Sequence, residues 1–150
     1  MIGTLTEDLA LVHPEVTGTE DLLRLMAEQA RRAGRVHDTF ADAVVARERR
    51  FPTGLPTPVP AAIPHTDAGH VAEAGVVVAL LARPVEFTEM GSADRTVPAE
   101  LAVMLLVKDP EEQVTALGEV IAVLQDPALA ERLAGVRDPA DLVAALRPAA

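Results

Sequence analysis

The chain has no cysteine, no tryptophan, no tyrosine, one lysine and one serine among its 150 residues. The missing thiols exclude disulfides, iron–sulfur ligation, thiolate zinc sites and cysteine nucleophiles, and they make a reducing cytoplasm the expected setting. Aromatic side chains are limited to Phe40, Phe51 and Phe87, too few to build a stacking platform for nucleic-acid bases. Lys108 is the only candidate for Schiff-base chemistry, and it sits beside Asp109 where a strand is expected to meet a helix. Ser92 lies in no Gly-x-Ser-x-Gly frame, so a serine-hydrolase nucleophile is absent as well. Positive charge is also scarce. Thirteen Lys and Arg against 23 Asp and Glu leave a formal net charge of −10, which disfavours phosphate backbones and anionic lipid and favours a basic partner protein. The longest apolar stretch, Ala74–Ala82, is too short to cross hydrocarbon, and the acidic start Met1-Ile2-Gly3-Thr4-Leu5-Thr6-Glu7-Asp8 does not read as a signal peptide.

What is present fits one domain spanning residues 1–150, large enough to bury roughly two-thirds of its unfolded surface. A short strand is expected between Leu5 and Val12, ending at His13-Pro14. Thr17, three residues ahead of Glu20, suggests a helix cap, and Leu22, Leu23, Met26 and Ala30 then recur at helical spacing up to Gly34, a plausible stop. A second helix is expected over Asp38–Arg49 with Phe40, Ala43, Val44 and Ala46 inward. Pro52, Pro56, Pro58, Pro60 and Pro64 rule out a helix or a fully paired central strand and predict a loop reaching a short strand. Gly75–Leu81 has the continuous apolar look of a strand covered on both faces, ended by Arg83-Pro84. Val85-Glu86-Phe87 suggests a short edge strand, Met90–Asp94 a turn, and Ala99–Val107 another buried strand. The rest is expected to be helical: a segment opened by Asp109-Pro110 with Val114, Leu117, Val120, Ile121 and Leu124 at helix spacing, then helices near Pro127–Leu133 and Pro139–Leu146, each entered through an Asp-Pro pair. Interleaved strands and helices predict an α/β layered domain with a central mixed sheet flanked by helices. The only low-complexity stretch is Pro148-Ala149-Ala150.

Four histidines are present, and His65 stands out. It lies in a turn-rich loop, Ala62-Ile63-Pro64-His65-Thr66-Asp67, preceded by the basic run Arg47-Glu48-Arg49-Arg50. Imidazole is a competent nitrogen nucleophile near neutral pH because its unperturbed pKa of about 6.5 leaves much of it unprotonated. One imidazole with a guanidinium nearby suits a transient phosphoryl group. A histidine taken alone is more often structural than reactive, so the weight falls on the pattern as a whole.

Arg47-Glu48, Pro52-Thr53-Gly54-Leu55 and Ala62-Ile63-Pro64-His65-Thr66 together closely resemble the EIIA component of the fructose/mannitol family of the bacterial phosphoenolpyruvate-dependent sugar phosphotransferase system. The Pro-Thr-Gly-Leu and His-Thr-Asp forms are most similar to its galactitol-type branch, and further similarity lies in Val85-Glu86-Phe87 and Met90-Gly91-Ser92. The resemblance implies that His65 receives a phosphoryl group from the phosphocarrier protein HPr and passes it to a cysteine of an EIIB component. The membrane component EIIC would be involved only indirectly, with no cofactor and no membrane insertion of this chain. It further implies that Arg47 makes charge-assisted hydrogen bonds to the phosphoryl oxygens. Thr66 could add a donor to the same oxygens, and the unreactive ring nitrogen needs an acceptor, often a backbone carbonyl, to hold the tautomer.

One departure is visible. Mannitol-type members carry a second active-site histidine where this chain has Gln113, which can donate and accept hydrogen bonds but cannot carry a proton. His70, five residues beyond His65, is an alternative orienting or partner-contact group. Two further readings stand beside the carrier: a regulatory EIIA-like protein not coupled to transport, and a metal site built from His65, Asp67 and His70.

Overall fold

The structure is a computed structural model that describes residues 1–147; Pro148-Ala149-Ala150 lies outside the described residues. Five strands form one mixed sheet in the order β1-β4-β5-β3-β2, with β1 Ala10–Val12, β2 Gly54–Leu55, β3 Ala61–Ala62, β4 Gly75–Thr88 and β5 Thr96–Leu106. β4 and β5 are antiparallel and carry most of the pairing, β1 runs parallel to β4, β3 runs parallel to β5, and β2 and β3 form an antiparallel pair. Helices α1 Thr19–Arg32, α2 Phe40–Arg50, α3 Gln113–Leu124, α4 Leu129–Ala134 and α5 Pro139–Leu146 complete the α/β architecture expected from the alternation of elements.

Gly75 through Leu81 is buried at every position, as a strand covered on both faces requires. Beyond it the pattern changes to alternation, with Val85 and Phe87 buried and Glu86 exposed. Arg83-Pro84 does not end the strand, and Val85-Glu86-Phe87 is not a separate edge strand. Leu80 pairs with Leu101 and Val85 with Ala99, so four residues of β4 oppose Glu100 alone, and the ladder shifts register across a bulge. Pro84 sits inside that bulge, where the ladder asks for no N–H.

The amino-terminal region departs from expectation in a second way. Only Ala10–Val12 is strand, because Ile2–Thr4 and Glu7–Leu9 are 3-10 turns that bury Ile2 and Leu9. Thr17 does not cap α1: Gly18 is the N-cap, and the Thr17 backbone N–H donates to the Asp21 carboxylate at 2.8 Å. The other end of α1 behaves as read. Gly34, at φ 74°, follows the last turn, and Gly34 N–H to Arg31 C=O with Arg35 N–H to Ala30 C=O make the paired bonds of a left-handed glycine stop.

Two helix faces are rotated from those expected. In α2 the buried residues are Phe40, Val44, Val45 and Glu48, with Ala46 exposed. In α3 they are Ala116, Val120 and Leu124, with Val114 79% exposed. α4 begins at Leu129 rather than Pro127, Asp126 accepting the Ala128 N–H at 2.9 Å just before it, whereas Asp138 caps α5 by accepting the Asp141 N–H at 2.8 Å as its Asp-Pro start suggests.

The proline-rich segment folds back as the short β2–β3 hairpin, which inserts β3 beside β5, with Ala61 opposite Leu101 and Ala62 opposite Ala102. Pro60 C=O also accepts the Glu100 N–H at 2.7 Å. Gly54 anchors the hairpin to β4: its carbonyl accepts from Met90 N–H at 2.8 Å, and a Cβ at this position would stand 2.7 Å from the Thr88 carbonyl oxygen and 3.2 Å from Phe87 Cβ. Because the obstacle is backbone, Gly54→Ala should cost about 1–3 kcal/mol of stability. Guanidinium unfolding of the two proteins measures it, and an unchanged midpoint would contradict this packing.

Candidate functional site

The chain leaves β3 through Ile63-Pro64-His65-Thr66, all buried, and Leu105 N–H donates to Pro64 C=O at 3.0 Å, so the peptide carrying His65 is laid along the inner half of β5. His65 therefore stands at the carboxyl end of a strand held between neighbours, where backbone position is well determined. The residue is 7% exposed, and Nδ1 lies 2.7 Å from the Ile63 carbonyl oxygen. A carbonyl can only accept, so Nδ1 carries the proton and donates, and the Nε2 lone pair is left unprotonated in the neutral ring. Here is the acceptor that the sequence alone could not name.

Burial lowers the His65 pKa from its ordinary value, and the Arg47 charge lowers it further, while the bond to Ile63 and the Asp67 carboxylate act the other way. The net direction keeps the ring neutral at physiological pH, the form in which its nitrogen is a nucleophile.

Arg47 comes from the last turns of α2. Its guanidinium carbon lies 4.8 Å from the centroid of the Phe51 ring, and Nη1 is 3.6 Å from the Asp67 carboxylate. Arg50 approaches the same ring at 5.6 Å. Phe51 is 54% exposed, and contacts of this kind on a solvated ring are worth about 0.5–1 kcal/mol. The ion pair is similarly weak, about 0–1 kcal/mol, because Asp67 is largely solvated. Buried Arg47 Nε finds no hydrogen-bond partner among the described residues. The guanidinium is thus aimed at the histidine loop without being consumed by strong partners.

The remaining candidates divide. Thr66 is buried next to His65. His70 closes the 3-10 turn Ala68–His70 and is half-buried; its Nδ1 is hydrogen-bonded to Thr39 Oγ1 at 2.8 Å and its carbonyl accepts the His37 N–H at 3.0 Å. It ties the loop to the entrance of α2. Gln113 occupies the first position of α3, half-exposed. Among the described residues no hydrogen bond joins either side chain to the His65 ring. Nor does any group of three or more His, Cys, Asp or Glu converge there as a metal site, so His65, Asp67 and His70 are not assembled as that reading requires. No described helix is long and apolar enough to cross a membrane.

Sequence reasoning passed over Glu48. It is 7% exposed, and both carboxylate oxygens accept from Thr53, Oε2 from the backbone N–H and Oε1 from the hydroxyl, each at 2.7 Å. Burial pushes its pKa up to about 7 against the pull of these two bonds. A signal was available: Phe40, Val44 and Glu48 share one stripe at a spacing of four.

Residues 4–148 match the family model described as phosphoenolpyruvate-dependent sugar phosphotransferase system, EIIA 2. The galactitol-specific EIIA component of Escherichia coli K12 is 35% identical over 101 residues, covering 67% of this chain and 67% of that protein. Among solved structures, the IIA mannitol domain of Escherichia coli superposes with a TM-score of 0.78 at 22% identity, over 95% of this chain and 98% of the other. The Escherichia coli IIA mannitol enzyme in its complex with phosphorylated enzyme IIB mannitol gives 0.77 at 22%, over 95% and 96%. The five-stranded mixed sheet is thus the frame of a phosphotransferase-system component. The chain belongs to the EIIA 2 family, and its role is that of a phosphoryl carrier in a sugar phosphotransferase system.

Because the folded ring is held below the usual histidine pKa, the unfolded chain takes up this proton first as pH falls. Stability contributed by the neutral ring is therefore full above about pH 6.5 and is lost as pH drops through the folded value. An NMR titration should place the His65 midpoint below 6.5. A midpoint above it would contradict the burial and the Arg47 placement.

Proposed function

We propose that residues 1–150 form one EIIA domain in which Nε2 of His65 accepts a phosphoryl group from HPr and delivers it to a cysteine of an EIIB component during sugar uptake, in the cytoplasm. The observation that carries the reading is the 2.7 Å bond from Nδ1 to the Ile63 carbonyl, which leaves Nε2 as the nitrogen with a free lone pair. Support for an EIIB acceptor comes from the fold shared with the IIA mannitol enzyme that was solved bound to its phosphorylated IIB.

In this scheme the Nε2 lone pair attacks phosphorus in line, and the N–P bond forms as the bond to the donor breaks. Delivery reverses the roles: the acceptor thiolate attacks, and the electron pair of the N–P bond returns to the ring. Such a transfer needs position and charge balance more than covalent help from other groups. Position comes from Ile63 and Pro64. Charge balance comes from Arg47, whose guanidinium is free to leave the weak Asp67 pair for the phosphoryl oxygens, and Thr66, buried beside His65, adds a donor. Gln113 supplies hydrogen bonding without a proton to exchange. His70, engaged with Thr39, orients the loop.

Incubation with phosphoenolpyruvate, enzyme I and HPr should give an acid-labile label that His65→Ala removes and His70→Ala retains. Label surviving in His65→Ala would reassign the site. Arg47→Ala should fold and slow transfer about a hundredfold, the effect of losing one preorganised donor to developing charge. An unaltered rate would remove Arg47 from the chemistry.

A further inference from the structure

Glu48 is held where a carboxylate is hard to keep. It lies on the buried stripe of α2 with Phe40 and Val44, within the last turn, where the helix presents the negative end of its dipole. Desolvation there is unfavourable enough to move its pKa to about 7. Among the described residues neither oxygen reaches an arginine; both are spent on Thr53, itself 3% exposed. A group kept at such cost is expected to do something that a hydrocarbon side chain could not.

The hydrogen bonds that lead away from Thr53 show what that is. Thr53 C=O accepts the Ile63 N–H at 3.3 Å, and Ile63 C=O accepts the His65 Nδ1–H at 2.7 Å. Glu48 thus begins a string, Glu48 to Thr53 to Ile63 to His65, that ends on the ring. The same clamp fixes the exit from α2, where Phe51 N–H donates to Arg47 C=O at 2.8 Å and the Phe51 ring lies against the Arg47 guanidinium. One carboxylate therefore sits behind both members of the site, the imidazole and the arginine, and among the described residues its side chain hydrogen-bonds to neither.

We infer that Glu48 is a positioning residue for phosphoryl transfer: by gripping both donors of Thr53 it holds the Ile63 carbonyl that selects the His65 tautomer and the Phe51 platform that aims Arg47. The inference rests on the reading of His65 as the phosphorylated residue. It adds a residue that acts only through others.

The test compares the parent with Glu48→Gln, Thr53→Val and Thr53→Ser, by ¹⁵N NMR of the His65 ring and by single-turnover labelling from phosphorylated HPr. Glutamine keeps the shape but removes the charge and reverses one bond, its NH2 donating to the Thr53 hydroxyl oxygen, so the hydroxyl must turn its own proton elsewhere; valine removes the hydroxyl. Both variants should show a reduced Nδ1–H fraction and transfer slowed about tenfold, as small misplacements of a reacting group cause, while Thr53→Ser restores both readings. Should either folded variant keep the parental tautomer and rate while only melting earlier, Glu48 is purely structural and the inference is overturned. If Glu48→Gln does not fold, Thr53→Val decides alone. A parent that takes no label on His65 would defeat the carrier reading, whereas the tautomer comparison would still judge Glu48 by itself.

Discussion

A proton on one side of a ring decides what the other side can do. The bond from His65 Nδ1 to the Ile63 carbonyl assigns that proton, and much of the surrounding fold bears on where the carbonyl stands. Ile63 follows a two-residue strand with little length of its own to define a direction. That strand is wedged between β2 and the long β5, and the pairing continues through Pro64 to Leu105. Placement of a single acceptor thus depends on the β2–β3 hairpin, on the register of β3 against β5, and on the glycine that lets the hairpin approach β4.

Electrostatics and packing act in the same direction at this site. Burial disfavours the imidazolium, and so does the Arg47 guanidinium, so the packing around the ring and the neighbouring positive charge together outweigh the Ile63 bond and keep it neutral. A strongly paired arginine would be unavailable, and an unpartnered one would be poorly aimed. Lying along Phe51 beside a solvated Asp67, Arg47 is directed by weak contacts that a doubly charged oxyanion can outcompete.

The family was legible in the loop around His65 because that loop is a local string of residue types whose joint pattern is specific. Gly34 and the Asp138-Pro139 cap were legible too, since a left-handed stop and an Asx cap are made by neighbours in sequence. Pro84 misled because a proline reads as a strand end unless a bulge has removed the need for its N–H, and the bulge exists only through β5. Thr17 misled because Asp21 captured it first. Glu48 stands inside the motif without announcing itself: a carboxylate on a helix is ordinarily solvated, and its burial is a property of what the helix packs against. The Ile63 acceptor is a main-chain atom, which no residue letter can announce.

The absence of tryptophan and tyrosine leaves the protein spectroscopically almost silent. Phe40 and Phe87 are sealed in the interior, whereas Phe51 lies in the open against the arginine. An indole introduced at that position would be the molecule's sole bright chromophore, stacked on the cation beside the histidine loop. Its emission would report the arrival and departure of charge there against an essentially dark background.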